Sequence, residues 1–273
     1  MPVFNRLEMT KDMLQDLQAQ RMDEALQIVV IDDGSSDGTA QFLAGQSHVT
    51  VVKGDGSLWW GGAIEAGLQA VWRSAQTTDW VLFVNNDTHI QSDFVQQLLQ
   101  TARRMAPAAV GSIIRQNAAP FLVRSVGPKI DAWRMLVGDL LDIQRPAAAE
   151  SVQQVDALSG RGVLFPALAL KQVRGMRPRW LPHYLADYEV SLRVRRAGWK
   201  LLVDPAAAVF SEDEYGSTHR DLGWRNRFFS VRSPRYLPAQ VSFWWQASTW
   251  WQRLSLPLRL ALFSVAPRLR NKS

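Results

Sequence analysis

The chain has 273 residues, 47% of them hydrophobic, enough for one large α/β domain with or without an appendage. It contains no cysteine, which excludes disulfides and thiolate metal sites and makes a reducing cytoplasm the default compartment. The net charge of +6 is uneven: residues 220–273 carry ten Lys/Arg against the single acid Asp221 (+9), residues 1–219 sum to −3, and the basic end predicts an anionic partner such as phosphate, nucleic acid or lipid headgroups.

No apolar run has signal-peptide or membrane-spanning length, so residues 1–20 read as a short lead and an amphipathic helix. Gln27–Ile31 is a β-branched strand ending in Asp32 and Asp33, and Asp37 is placed to cap a helix near Gly38–Ala44. His48–Val52 is the next strand. Ile64, Leu68, Val71, Trp72 and Ala75 recur at steps of three and four, the period of a helix with one buried face. Trp80–Val84 is a strand ending in Asn85, Asn86 and Asp87. Ser92 is the expected cap of a helix carrying Phe94, Val95, Leu98, Leu99 and Ala102, and Ala109–Ile114 is a further strand. The stretch from Phe121 to Asp156 is irregular, with room for a hairpin; Asp187–Ala197 reads as a helix and Trp199–Val203 as a strand. Alternating strands and helices predict an α/β fold with a doubly wound, mostly parallel sheet, whose ligands bind at the carboxyl ends of its strands. The acids Asp32, Asp33 and Asp87 and the amides Asn85 and Asn86 lie at those ends.

Three segments carry chemistry. IDDGSSDGT at 31–39 suits hydrogen bonding to a base and ribose, and equally suits a turn with a helix cap. LFVNNDT at 82–88 puts one carboxylate past a buried strand, where it can hold a divalent cation on a diphosphate or close a turn. DYEVSLRVRRAG at 187–198 sets Asp187 and Glu189 at a helix start, either as favourable charges at that helix terminus or as a general base.

Taken in order with GDGSLWWGGAIEAGL at 54–68 and LSGRGVLFP at 158–166, these segments resemble the family 2 inverting glycosyltransferases of the GT-A fold over residues 2–236, and most closely the rhamnosyltransferase-like branch. The resemblance implies that Asp32 and Asp33 contact the nucleoside, that Asn85, Asn86 and Asp87 lie at the D-x-D position with Asp87 as ligand of Mg²⁺ or Mn²⁺, and that Asp187 is the catalytic base. Glu189 matches a supporting acid, Ser159–Gly162 a segment beside the donor sugar, and Arg232, after Phe228 and Phe229, a diphosphate contact. Four departures stand out. Met1 directly precedes Pro2, Val3, Phe4 and Asn5, so the first strand is expected to be almost wholly missing, at a cost in core burial and nucleoside contacts. Glu65 stands where the family has Asn, Ser211 where it has a metal-binding His, and Ser233 where it has the Asn after Arg232; His219 or Glu212 could substitute for the His.

The implied function is sugar transfer from a nucleotide-diphosphate donor to a saccharide or lipid-linked acceptor in surface polysaccharide synthesis. A catalytically impaired nucleotide- or lipid-binding homologue is the alternative. A sugar-nucleotidyltransferase is disfavoured because no Gly-rich basic phosphate loop opens the chain. A nucleic-acid module is disfavoured because the basic end lies among Trp and Leu clusters. Residues 1–235 are expected to form the transferase domain and 236–273 a basic aromatic tail, split by Pro257 into two short helices. The tail is read as docking peripherally on an anionic membrane at the inner face of the cell membrane. Packing on the domain or a homodimer partner is the alternative.

Overall fold

A computed structural model describes residues 1–143, 149–212 and 223–265. Strand β1 (Pro2–Val3) lies parallel to β2 (Ile28–Asp32), which lies parallel to β3 (Val49–Lys53). Helix α1 (Leu7–Gln18) turns Met13, Leu14 and Leu17 inward; α2 (Thr39–Ala44) links β2 to β3. Helix α3 (Trp59–Val71) follows, and buries Ile64 and Leu68. The first strand is thus two residues long, and Val3 is buried on β2.

The second sheet has seven strands. Its spine is β10 (Gln153–Gln154), β12 (Lys200–Ser211), β6 (Ala108–Gln116), β11 (Val163–Pro166) and β4 (Trp80–Phe83). Strands β5 (Thr88–Ile90) and β7 (Val123–Ser125) pair with β12 and β6. Strand β12 is parallel to β6, and β11 is antiparallel to both β6 and β4. Strands β4, β6 and β12 therefore share one direction, with β11 inserted against it. The fold is GT-A-type α/β, with its principal strands parallel; the reversed strand β11 is not apparent from the apolar run VLFP alone.

Alternation builds two cores. Along β12, Leu201 and Val203 face one buried cluster, with Ile64, Phe83, Ile113 and Val190, whereas Leu202 and Val209 face the other, with Met13, Val30, Phe94 and Leu98. Period-two side chains on a sheet covered on both faces produce this split. A register shift between Asp204 and Ala208 bulges β12 and brings Ser211 opposite Thr88. Asp204, buried at the bulge, accepts from the Thr101 hydroxyl.

The helix ends bear out one expectation and correct another. Asp37 does close the start of α2, accepting from Thr39 N (3.1 Å) and Thr39 Oγ1 (2.6 Å), and the Thr39 hydroxyl holds its carboxyl below the usual range. Ser92 does not cap α4 (Phe94–Arg104): the N-cap is Asp93, without a side-chain cap bond, and the Ser92 carbonyl accepts from Arg21 N. The irregular region holds the hairpin of β8 (Pro128–Asp131) and β9 (Leu136–Asp139), then α5 (Leu140–Ile143). Helix α6 (Ala167–Gln172) follows β11, α7 (Ala186–Arg196) precedes β12, and α8 (Trp224–Phe229) follows it.

Among the described residues the tail forms three helices rather than two: α9 (Leu237–Ala247), α10 (Trp250–Leu254) and α11 (Leu256–Val265). The chain breaks at Ser248, which is extended, and at Ser255. A capping box between Thr249 and Gln252 restarts α10. Pro257 sits in the first turn of α11, where its missing N–H costs nothing. Ala239, Phe243, Trp244 and Leu256 join the cluster that contains Val190 and Phe83. Arg268, Arg270 and Lys272 lie outside the described residues, as do His219, Arg220 and Asp221.

Phe243 is fully buried. Phe243→Ala is therefore expected to cost about 3–5 kcal/mol, measured by urea unfolding of the full chain; unchanged stability would mean that α9 does not belong to the core.

Candidate active site

Each sequence-predicted acid is held by a specific donor. Asp32 is buried, and its Oδ1 accepts from Ser35 N at 2.9 Å, closing the turn after β2. Asp33 reaches across to the loop before α3, accepting from Gly56 N (2.9 Å) through Oδ1 and from Trp59 N (3.1 Å) through Oδ2. These bonds fix Trp59, whose backbone is in the left-handed region (φ 57°), a costly conformation for a bulky residue. The Trp59 ring lies 5.7 Å from the His183 ring and 5.8 Å from the Arg232 guanidinium. Arg232 is thereby brought to the start of α3, where Asp33 holds Trp59. Phe228 is half-buried and Phe229 exposed.

Trp60 tethers the next motif. Its Nε1 donates to Asn85 Oδ1 (2.8 Å), and its ring meets Phe83 edge-on. It also packs so closely over Gly160 that an added Cβ there would collide with the indole. Asn86 turns inward, its amide donating to Thr10 Oγ1 at 3.0 Å in a buried contact on α1. Asp87 meets Arg6, Oδ2 to Nη1 2.8 Å, while its Oδ1 is buried with no hydrogen-bond partner.

Asp187 opens α7. It is half-buried, with Oδ2 accepting from Gly160 N (2.8 Å) and Oδ1 from Tyr188 N (2.9 Å). Burial pushes its carboxyl above the usual range, opposed by those backbone N–H groups and by the charge of Arg161. Leu158 N donates to Ser191 Oγ (3.0 Å), so the segment 158–162 is stitched to α7 twice. Glu189 differs sharply. It is 1% exposed and is chelated by Arg193, with Nε 2.9 Å from both carboxylate oxygens and Nη2 2.8 Å from Oε2; Arg177 adds a longer contact. Its place is structural.

The departures also have contacts. Glu65 Oε2 accepts from Met176 N at 2.7 Å, tying α3 to the loop after α6. Ser211 Oγ accepts from Arg161 Nη1 at 3.3 Å, beside Thr88 and hence next to Asp87 in sequence. Ser233 Oγ donates to Arg227 O, and Glu212 is exposed.

The structure thus links four of the motifs through Trp59 and Trp60: Asp33, Asn85, Gly160 with Asp187, and Arg232. A model of glycosyl transferase family 2 matches residues 1–143, just over half of the chain. The chain belongs to this family. Among solved structures, its fold is similar to that of GalNAc-T7 crystallised with UDP, GalNAc and Mn²⁺ (TM-score 0.62, 13% identity, 77% of this chain and 42% of that one). It is also similar to the mannosyltransferase PcManGT from Pyrobaculum calidifontis in complex with GDP-Man and Mn²⁺ (0.59, 15%, 98% and 74%). S. aureus TarS 1-349 in complex with UDP is a third (0.55, 14%, 77% and 58%). At these identities the likeness is one of fold, and the chain spans less than half of the GalNAc-T7 chain. No curated protein matches significantly.

Among the described residues no three His, Cys, Asp or Glu converge. Yet Asp87 Oδ1, buried with no hydrogen-bond partner among the described residues, is a carboxylate oxygen of the kind a hard cation accepts as ligand.

Sequence reasoning did not single out Trp59, Trp60, Arg6 or Arg161. The LWW string marks the first two, but nothing local marks the arginines.

Because Glu189 is buried on Arg193, Glu189→Ala is expected to lose about 3–5 kcal/mol of stability by leaving that guanidinium uncompensated. Chemical denaturation checks this, and an inactive variant with wild-type stability would return Glu189 to the chemistry.

Proposed function

We propose that the chain transfers a sugar from a nucleoside-diphosphate donor to a hydroxyl acceptor with inversion, with Asp187 as general base. The carrying observation is Asp187 itself: a half-buried carboxylate with a raised pKa, oriented by two backbone N–H groups and joined through Gly160 and Trp60 to the Asn85–Asp87 segment. Raised basicity suits proton abstraction. The acceptor oxygen forms its bond to the anomeric carbon as the bond to the diphosphate breaks. The acceptor proton passes to Asp187, and nucleoside diphosphate leaves on the opposite face. Asp32 and Asp33 shape the nucleoside end, and Arg232 lies toward the diphosphate. A divalent cation held by Asp87 and the diphosphate would stabilise charge on the leaving group. The fold similarity to structures holding UDP and GDP-Man supports a nucleotide-sugar donor. The rhamnosyltransferase-like motif order supports a role in polysaccharide synthesis.

Asp187→Asn is expected to lower transfer about 10²-fold or more with donor binding kept. In the parent enzyme kcat/KM should rise with pH through a group titrating above the ordinary carboxylate range, because the deprotonated form is the active one. Wild-type turnover in Asp187→Asn, read by donor consumption and product analysis, would remove the assignment.

The acceptor side fits a lipid-linked saccharide at an anionic bilayer. Trp245, Trp250, Trp251, Leu254, Leu258 and Leu262 are exposed on α9–α11. The β8–β9 hairpin adds exposed Trp133 and Leu136, joined to α11 by Arg259, which lies over Trp133 and donates to Ala132 O. Trp suits the interface and Arg253 and Arg259 suit anionic headgroups, with no acid in residues 236–273. Among the described residues no helix is long and apolar enough to cross a membrane. The full chain should float with anionic but not neutral liposomes, and Trp250→Ala/Trp251→Ala should lower recovery; equal recovery with both liposomes removes the membrane role.

A further inference from the structure

Arg6 occupies the ground between the two ends of the proposed donor site. Its backbone and that of Asn5 are both left-handed (φ 66° and 57°), a rare pairing that costs strain at the arginine. The strain is held in place from the nucleoside side. Asn5 N donates to Ser35 Oγ (2.8 Å), and Ser36 N donates to Asn5 Oδ1 (2.9 Å). Leu7 N donates to Asp37 Oδ2 (2.9 Å). The IDDGSSDGT loop therefore grips residues on both sides of Arg6. The side chain then leaves that loop and reaches Asp87, 2.8 Å away through Nη1.

A nucleoside diphosphate bound with its base at Asp32–Ser36 and its phosphates at Asp87 has to cross Arg6. The guanidinium is about half exposed, and Asp87 engages it through Nη1, so the rest of its donor fork is available to phosphate oxygens. A half-exposed ion pair alone contributes little to stability, so stability does not account for the Arg6–Asp87 contact. Resting on the donor reading above, we propose that Arg6 is a diphosphate-binding residue: a cation supplied by the protein, shared between Asp87 and the donor phosphates, which sustains donor binding without a divalent metal. Arg6 also competes with any metal for Asp87, because both neutralise the same carboxylate.

The test is calorimetric titration of UDP, GDP and dTDP into the full chain, in excess EDTA and in Mn²⁺, for the parent, Arg6→Lys and Arg6→Gln. At least one nucleotide should bind the parent in EDTA. Arg6→Gln should weaken that binding about ten-fold or more, as expected for a lost charge-assisted phosphate contact. Arg6→Lys should lose part of it, since a point charge replaces a fork, and Mn²⁺ should shrink the deficit. Titration of Mn²⁺ alone, followed by electron paramagnetic resonance, should show tighter binding to Arg6→Gln than to the parent. Equal affinities of parent and Arg6→Gln in EDTA would overturn the role of Arg6 and leave the donor reading standing. Binding to the parent only in Mn²⁺ would do the same. No binding of any nucleotide in either condition would overturn both.

Discussion

The site depends on the tandem tryptophans at the start of α3. Each carries one polar tether in a different direction. Trp59 is pinned by its backbone N–H to Asp33, and Trp60 by its indole N–H to Asn85. The Trp60 ring then fills the space where a side chain at residue 160 would stand, so the Gly160 N–H can reach Asp187. A shift of α3 by a fraction of a turn would break all of these contacts together. Large aromatic rings with a polar edge suit this use, since they pack over wide areas and still direct one hydrogen bond.

Two acids on α7 show how surroundings divide roles. Asp187 and Glu189 are only two residues apart, Glu189 buried and Asp187 half-buried. Glu189 is neutralised by the Arg193 fork, which also donates to the carbonyls of Val173 and Gly175 and so locks the loop after α6. Asp187 receives backbone N–H groups, with the charge of Arg161 a lesser influence, and desolvation dominates. A buried carboxylate matched by a guanidinium is structural, because separating the pair strands a charge. One held by neutral donors can take up a proton.

The tail divides in a similar way. Phe243 and Trp244 enter the core, whereas Trp245, Trp250 and Trp251 stay outside. Helical period allows one short segment to do both. The Arg259 contact with the β8–β9 hairpin extends the outer face beyond the tail itself.

What the sequence determined by itself was the set of local facts: which segments alternate, which recur at helical spacing, where acids follow a buried strand, and the motif order that resembles family 2. Those are properties of neighbouring residues, and period and turn chemistry express them directly. The positions of β2, α3, β4, α4, β6 and α7 were legible for that reason, as was the hairpin in the irregular stretch. The tertiary structure alone decided the reversed strand β11, because an apolar run carries no direction until it pairs with β4 and β6. It decided the bulge in β12 that sets Ser211 beside Thr88. It decided which acid a distant cation meets, Arg6 on Asp87 across 81 positions, whereas Arg193 on Glu189 is a pair four apart that helical spacing alone allows. A lone arginine looks the same in sequence whether it is solvated or engaged. Its partner is chosen by sheet register and helix packing, which bring distant residues within hydrogen-bonding reach only once the core has closed.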